Sequence, residues 1–281
     1  MTTKMLLVFL AGFSATLTNL SDALFQLCNS IAGRSQLLDT LIALPMTNQF
    51  VKAAVIGGCF FAAWHEATDE ASTLRRRRIL LITLIACLFV IATTKTLSKT
   101  VFLPRPFIQS QKAFHLEGEQ LVESNRLAYR VPLDKDSQTD FQKLRDGDIL
   151  PNDLGSFPSD HAGFYVTLAV GIWLASRWIG LLAVAWTFLA ILGSRVITGQ
   201  HSPLDILAGV GIGVVILLLC QVVIGKGFRR LMEPLVHWTM RHPALSSALL
   251  FVALFEAANT LQNLRELLKT GVAIGKQLIG G

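Results

Sequence analysis

The sequence predicts an all-α, multi-pass transmembrane bundle of about six to seven spans with one polar extracytoplasmic loop domain. Three observations predict it. Of 281 residues, 52% are hydrophobic and 16% charged, against about 45–50% and 25% in a soluble globular domain. The apolar residues gather into charge-poor runs, Ile79 to Thr94, Gly163 to Ala175, Trp178 to Leu192 and Leu204 to Gly225, on the scale of the about 17–25 residues that cross a bilayer as a helix. The surplus base, a net charge of +6, lies in short clusters beside those runs, at Arg75 to Arg78 and at Lys226, Arg229 and Arg230. Basic loops of that kind orient a membrane protein, so the charge reads as topology and not as a nucleic-acid surface.

In chain order, residues 1–46 hold two elements. Met5 to Leu17, behind Lys4, reads as an uncleaved first helix in preference to the apolar region of a signal peptide. Ser21 to Ala32 reads as an amphipathic helix lying at the interface or packing across the bundle, with Leu20, Leu24 and Leu27 opposite Asp22, Gln26 and Asn29. Residues 47–106 hold a helix from Asn48 to Trp64 running inward and one from Ile79 to Ser98 running outward. Residues 107–157 differ in kind, with Pro132, Gly147, Pro151, Gly155 and nine acids against six bases. At roughly fifty residues the segment is too long for a passive turn and reads as a cap or lid outside the membrane. Residues 158–225 continue with helices from His161 to Ala175, Trp178 to Thr198 and Pro203 to Gly225. Residues 226–281 open with the cytoplasmic basic loop and carry a last apolar run, Pro243 to Thr260, which contains Glu256. Gly209 and Gly213 form a small-x-x-x-small pair suited to close helix packing. Cys28, Cys59, Cys87 and Cys220 have no C-x-x-C spacing, so they read as packing residues and not as a zinc site or disulfide framework.

This topology delivers three polar groups to one membrane face: Lys95, Lys99, Arg105 and Pro106; Pro158, Ser159, Asp160 and His161; Arg195, His201 and Asp205. Cations at that depth are costly and mark function, and several around one anion suit a phosphate. Each group also has a plain structural reading. Ser202, Pro203 and Asp205 make a helix-start box; alternatively, the Asp205 carboxylate bonds one ring nitrogen of His201 and leaves the other as a nucleophile. Ser159 or Asp160 caps a helix whose N–H groups attract an anion, with His161 in its first turn as a candidate proton donor. Arg195 follows a charge-free run, and its planar fork suits a phosphoryl group.

Together the three groups resemble the signature of the type 2 phosphatidic acid phosphatase superfamily, K-x6-R-P, P-S-G-H and S-R-x5-H-x3-D. Ser194, Arg195, His201 and Asp205 match the third motif in full. Pro158, Ser159 and His161 match the second, with Asp160 in place of glycine. Arg105 and Pro106 match the first, but five residues separate Lys99 from Arg105 instead of six. The resemblance implies that His201 is the nucleophile, Asp205 its orienting partner and His161 the general acid. It further implies that Arg105, Arg195, Ser159 and Lys99 bind phosphate, with no metal or other cofactor. The nearest likeness is to bacterial undecaprenyl-diphosphate phosphatases of the inner membrane, with the site facing the periplasm, a lipid phosphate as substrate and a role in cell envelope biogenesis. Two other functions fit the same residues: transfer of the phosphoryl group to a lipid or sugar acceptor, and, in another class, lipid or anion transport through the intramembrane cations. Haem or quinone binding by His161 and His201 fits less well, because both histidines stand at helix starts beside prolines.

Overall fold

The computed structural model describes residues 3–66, 69–101, 103, 105–109, 114–117, 120–123, 139–140, 142–143, 146, 148 and 155–258. Most of the expected cap and residues 259–281 lie outside them. The described helices are α1 Thr3–Asn29, α2 Gln36–Thr47, α3 Gln49–His65, α4 Glu70–Leu97, the short α5 Pro106–Gln109 and α6 Asp160–Ala175. They continue as α7 Arg177–Ile197, α8 Pro203–Gly227, α9 Arg229–Arg241 and α10 Pro243–Ala258. Among them α4, α7 and α8 are long and apolar enough to cross a membrane. The chain is a membrane protein.

The centre of the bundle is α6. Its residues from Ala162 to Ala169 are all buried, and it packs on α4, α7 and α8. The outward faces are apolar instead of polar: Leu88 and Phe89 on α4, Trp178 and Leu189 on α7, Leu207 and Leu218 on α8 are exposed. That pattern suits lipid on the outside, where helix association relies on close backbone approach. Gly209 and Gly213 provide it: a Cβ at Gly209 would meet the Ser159 carbonyl oxygen at 2.3 Å, and one at Gly213 the Gly163 carbonyl oxygen at 2.6 Å.

Three differences from the sequence reading follow. Residues 3–29 form one continuous helix, so there is no separate interfacial helix from Ser21. Leu20, Leu24 and Leu27 face outward, while Ser21, Phe25 and Asn29 are buried. The polar edge is used for joining: Asn29 Nδ2 donates to the Ile197 carbonyl at 2.8 Å, and Leu204 N–H donates to Ser21 Oγ at 3.2 Å. Second, α4 starts nine residues before Ile79, capped by Asp69, which accepts from Ser72 N–H at 2.9 Å. Its first turns therefore carry the arginine cluster, and Arg77 turns inward, 4.8 Å from the Trp64 ring and donating to the Thr239 carbonyl of α9 at 2.7 Å. The basic segment expected as a loop is largely helical for the same reason: α9 buries Val236 and Thr239 against that end of the bundle. Third, the bundle is all-helical as expected, but the polar segment outside it carries a short hairpin. Phe114–Glu117 (β1) and Gln120–Glu123 (β2) pair antiparallel, Phe114 opposite Glu123; the Phe-His-Leu-Glu alternation has the period of a strand.

Candidate active site

The three polar groups meet because their backbones are bonded to one another. Ser156 N–H and Oγ both donate to the Leu103 carbonyl, at 2.8 and 2.9 Å. Phe107 N–H donates to the Gly199 carbonyl at 3.1 Å, and Ser159 N–H to the Asp205 carbonyl at 3.1 Å. Gly199 sits at φ 75°, the left-handed region that a side chain disfavours, and this turns the chain back between α7 and α8. The Arg195 carbonyl accepts from both Gln200 and His201 N–H, at 3.0 and 3.2 Å. Thr187–Leu192 within α7 is a π-helical stretch. Such a stretch holds an extra residue per turn, and one residue is about 100° of rotation in an α-helix. Downstream of it Arg195 is buried, 8% exposed.

His201 is 6% exposed, and its Nδ1 lies 3.0 Å from the Ser156 carbonyl. A carbonyl only accepts, so Nδ1 carries the hydrogen and the neutral ring keeps its lone pair on Nε2. Burial first, then the charges of Arg195 and Arg105, hold this imidazole well below the ordinary histidine value of 6.5. The unfolded ring binds a proton that the folded ring refuses, so its contribution to stability is present above 6.5 and is lost as pH falls through that value. In a 15N titration of the histidine rings, the signal that disappears in His201→Ala is therefore expected to stay neutral well below the ordinary histidine value of 6.5. Protonation near the ordinary value would contradict the environment described.

His161 opens α6 behind the N-cap Ser159, whose Oγ accepts from Ala162 N–H at 3.3 Å. Its Nδ1 lies 2.8 Å from Asp160 Oδ1, and Asp160 Oδ2 lies 2.8 Å from Lys95 Nζ. The ring stacks on Tyr165 with centroids 6.2 Å apart. Arg105 Nη1 donates to Gln200 Oε1 at 2.5 Å and faces Asp140 at 3.9 Å. The Arg195 charge acts on both imidazoles. Two histidines, two arginines and the N-terminus of α6 thus share one buried place at the ends of α4, α6, α7 and α8.

The sequence profile of the PAP2 superfamily matches residues 77–229, just over half of the chain. The chain belongs to that superfamily. It is accordingly a phosphatase, of the lipid-phosphate type that the superfamily suggests. No curated protein and no solved structure matches it.

Most of the site residues expected from the PAP2 signature come together: His161, His201, Asp205, Arg105, Arg195 and Ser159. Two expectations are corrected. Asp205 does not bond the His201 ring. Its Oδ2 accepts from Ser202 N–H at 2.7 Å while its own N–H donates to Ser202 Oγ at 3.2 Å, so the capping box takes that oxygen and the Ser156 carbonyl takes the ring nitrogen. Oδ1 of Asp205 is buried without a hydrogen-bond partner, and the contact of Asp205 nearest the ring is with the backbone of Ser202, the residue after His201. Lys99 is exposed in the turn after α4, as its one-residue offset from the PAP2 spacing implies. Lys95, one turn deeper, reaches Asp160 instead.

The sequence reading gave Asp160 no task beyond a helix cap, and it missed Lys52. Lys52 is 3% exposed on α3, and its charge acts on His161. The signal for it was a single base in the apolar run from Asn48 to Trp64. It lies outside the PAP2-matched segment, on a helix the signature does not include.

Proposed function

We propose that this PAP2 phosphatase removes the terminal phosphate from a lipid phosphate or diphosphate through a phosphohistidine on His201, without a metal, with undecaprenyl diphosphate as the leading substrate. The observation that carries the reading is the His201 ring. Its Nδ1 is fixed on the Ser156 carbonyl, its environment keeps it neutral, and its free nitrogen belongs to a pocket of buried cations. Nε2 attacks phosphorus, the bond to the lipid oxygen breaks, and that oxygen takes a proton from His161. Water then attacks the phosphohistidine, returns a proton to His161, and inorganic phosphate leaves. Arg195 and Arg105, with the backbone N–H groups that open α6, hold the phosphoryl oxygens as their charge redistributes; Lys52 adds to that positive field.

The membrane setting supports a lipid substrate: the site stands at helix ends, where a headgroup enters while its tail stays in the bilayer. With the clusters at Arg75 to Arg78 and Lys226 to Arg230 cytoplasmic, the site faces the other side. In a bacterium with two membranes that is the periplasmic face of the inner membrane. The proposed spans are α1, α3, α4, α6, α7, α8 and α10.

The test is phosphate release by purified protein in detergent with EDTA, offering undecaprenyl diphosphate, phosphatidic acid and phosphatidylglycerol phosphate in parallel. Release is expected to survive EDTA and to pass through a label that is stable in alkali and lost in acid, as a phosphohistidine is. No release from any of the three, with no vanadate binding and no trapped phosphohistidine, would return the cations to the transport reading.

A further inference from the structure

Asp160 uses both carboxylate oxygens. Oδ1 lies 2.8 Å from His161 Nδ1 and also accepts the His161 backbone N–H at 2.8 Å, so the carboxylate is folded back over the first turn of its own helix. Oδ2 is held by Lys95 from the neighbouring helix α4, at 2.8 Å. The side chains of Lys95 and Asp160 are 47% and 21% exposed, so this ion pair adds little to stability. What the pair does is geometric. Lys95 stops the carboxylate from rotating away, and the carboxylate stops the ring from turning, which leaves Nε2 as the nitrogen free for chemistry. The other charged and titratable groups acting on His161 are Lys52 from α3, Arg195 from α7 and His201 from the turn before α8. Lys52 and Arg195 are cations. Asp160 is the anion among them, and a proton donor surrounded by cations needs one.

We propose that Lys95 and Asp160 form a positioning relay that holds His161 as the proton donor to the leaving oxygen, so that Asp160 governs turnover of poor leaving groups and not of good ones. This rests on the phosphohistidine reading above. As the bond between phosphorus and the lipid oxygen breaks, its electron pair stays on that oxygen, which takes the Nε2 proton of His161. The Nδ1 proton remains between His161 and Asp160 throughout, and the incoming water returns the Nε2 proton when the phosphohistidine is hydrolysed. Asparagine at position 160 keeps an acceptor for Nδ1–H but removes the negative charge that favours the protonated donor. A nitrophenolate leaves without a proton, whereas an alkoxide requires one.

The experiment compares two single-tailed substrates of equal chain length, hexadecyl phosphate and a hexadecyl-substituted nitrophenyl phosphate, with wild type, Asp160→Asn, Asp160→Glu, Lys95→Met and His201→Ala. Asp160→Asn is expected to lower kcat on the alkyl phosphate about tenfold or more, within the range that general acid catalysis supplies. Its KM, and its kcat on the nitrophenyl substrate, should stay within about threefold of wild type. Asp160→Glu recovers part of the loss, Lys95→Met shows the same pattern more weakly, and His201→Ala is inactive on both. An equal loss on the two substrates would assign Asp160 a structural role and overturn the relay, as would no loss on either. If wild type turns over neither substrate and no phosphohistidine can be trapped, the functional reading falls and takes the relay with it; turnover through His201 with no leaving-group dependence in Asp160→Asn sinks the relay alone.

Discussion

His201→Ala is expected to lower kcat/KM by about 10⁴-fold or more, the scale on which a covalent catalyst collapses when its nucleophile is removed, while the protein remains folded. The two halves of that expectation have separate causes. The ring makes one side-chain hydrogen bond, to the Ser156 carbonyl, and a bond of that kind is worth about 1 kcal/mol net. The turn that carries it is held independently by Gly199 accepting from Phe107 and by Arg195 accepting from Gln200. Vanadate binding should therefore weaken far less than activity, because the cations and the α6 N-terminus persist. Imidazole added to the alanine variant should restore part of the release by occupying the space of the ring and attacking phosphorus from solution. Activity that survives the substitution, at any substantial level, would mean that no phosphohistidine forms at this position.

The histidine was legible because its neighbourhood is local: Ser202, Pro203 and Asp205 mark a helix start within four residues, and Arg195, shortly before them, ends a charge-free run. The capping box formed as the plainer reading of that segment expected. What orients the ring was not legible, since the Ser156 carbonyl lies 45 residues away and a backbone oxygen has no signature. The same limit explains Lys95 and Lys99. Counting along the chain favours the lysine nearer Arg105, whereas the pairing is decided by which turn of α4 faces Asp160 on α6. The π-helical stretch in α7 was invisible for a related reason, because hydrophobic residues fill a wide turn as readily as an ordinary one. The long apolar runs placed α3, α6, α7, α8 and α10 to within about two residues, but not α1, which runs on to Asn29, nor α4, where four arginines continue the helix beyond the membrane-length segment. The polar edge of α1 stayed open between the interface and the bundle because amphipathicity alone does not say whether the polar side meets water or protein. In a bundle facing lipid, the polar residues turn inward, as Asn29 does toward Ile197.

The same substitution at two glycines of α8 is expected to give opposite results. At Gly209 a Cβ would stand 2.3 Å from the Ser159 carbonyl oxygen, 3.0 Å from Ala162 Cβ and 3.1 Å from Gly163 N, while at Gly211 it would meet nothing within 4 Å. Backbone atoms cannot yield as a flexible side chain does, so Gly209→Ala forces α8 away from α6 at a cost of about 2 kcal/mol or more. Gly211 lies on the exposed side of the helix, where alanine gains up to about 1 kcal/mol in helix propensity. The first contact is with the N-cap of α6, so the damage is also chemical. Ser159 N–H is bonded to the Asp205 carbonyl at 3.1 Å, and separating the two helices moves His161 away from His201. Gly209→Ala should thus lower the thermal transition and phosphate release together, whereas Gly211→Ala leaves release unchanged and the transition equal or higher. Equal behaviour of the two variants would show that α6 and α8 do not approach at this crossing, and the shared site built on that approach would have to be redrawn.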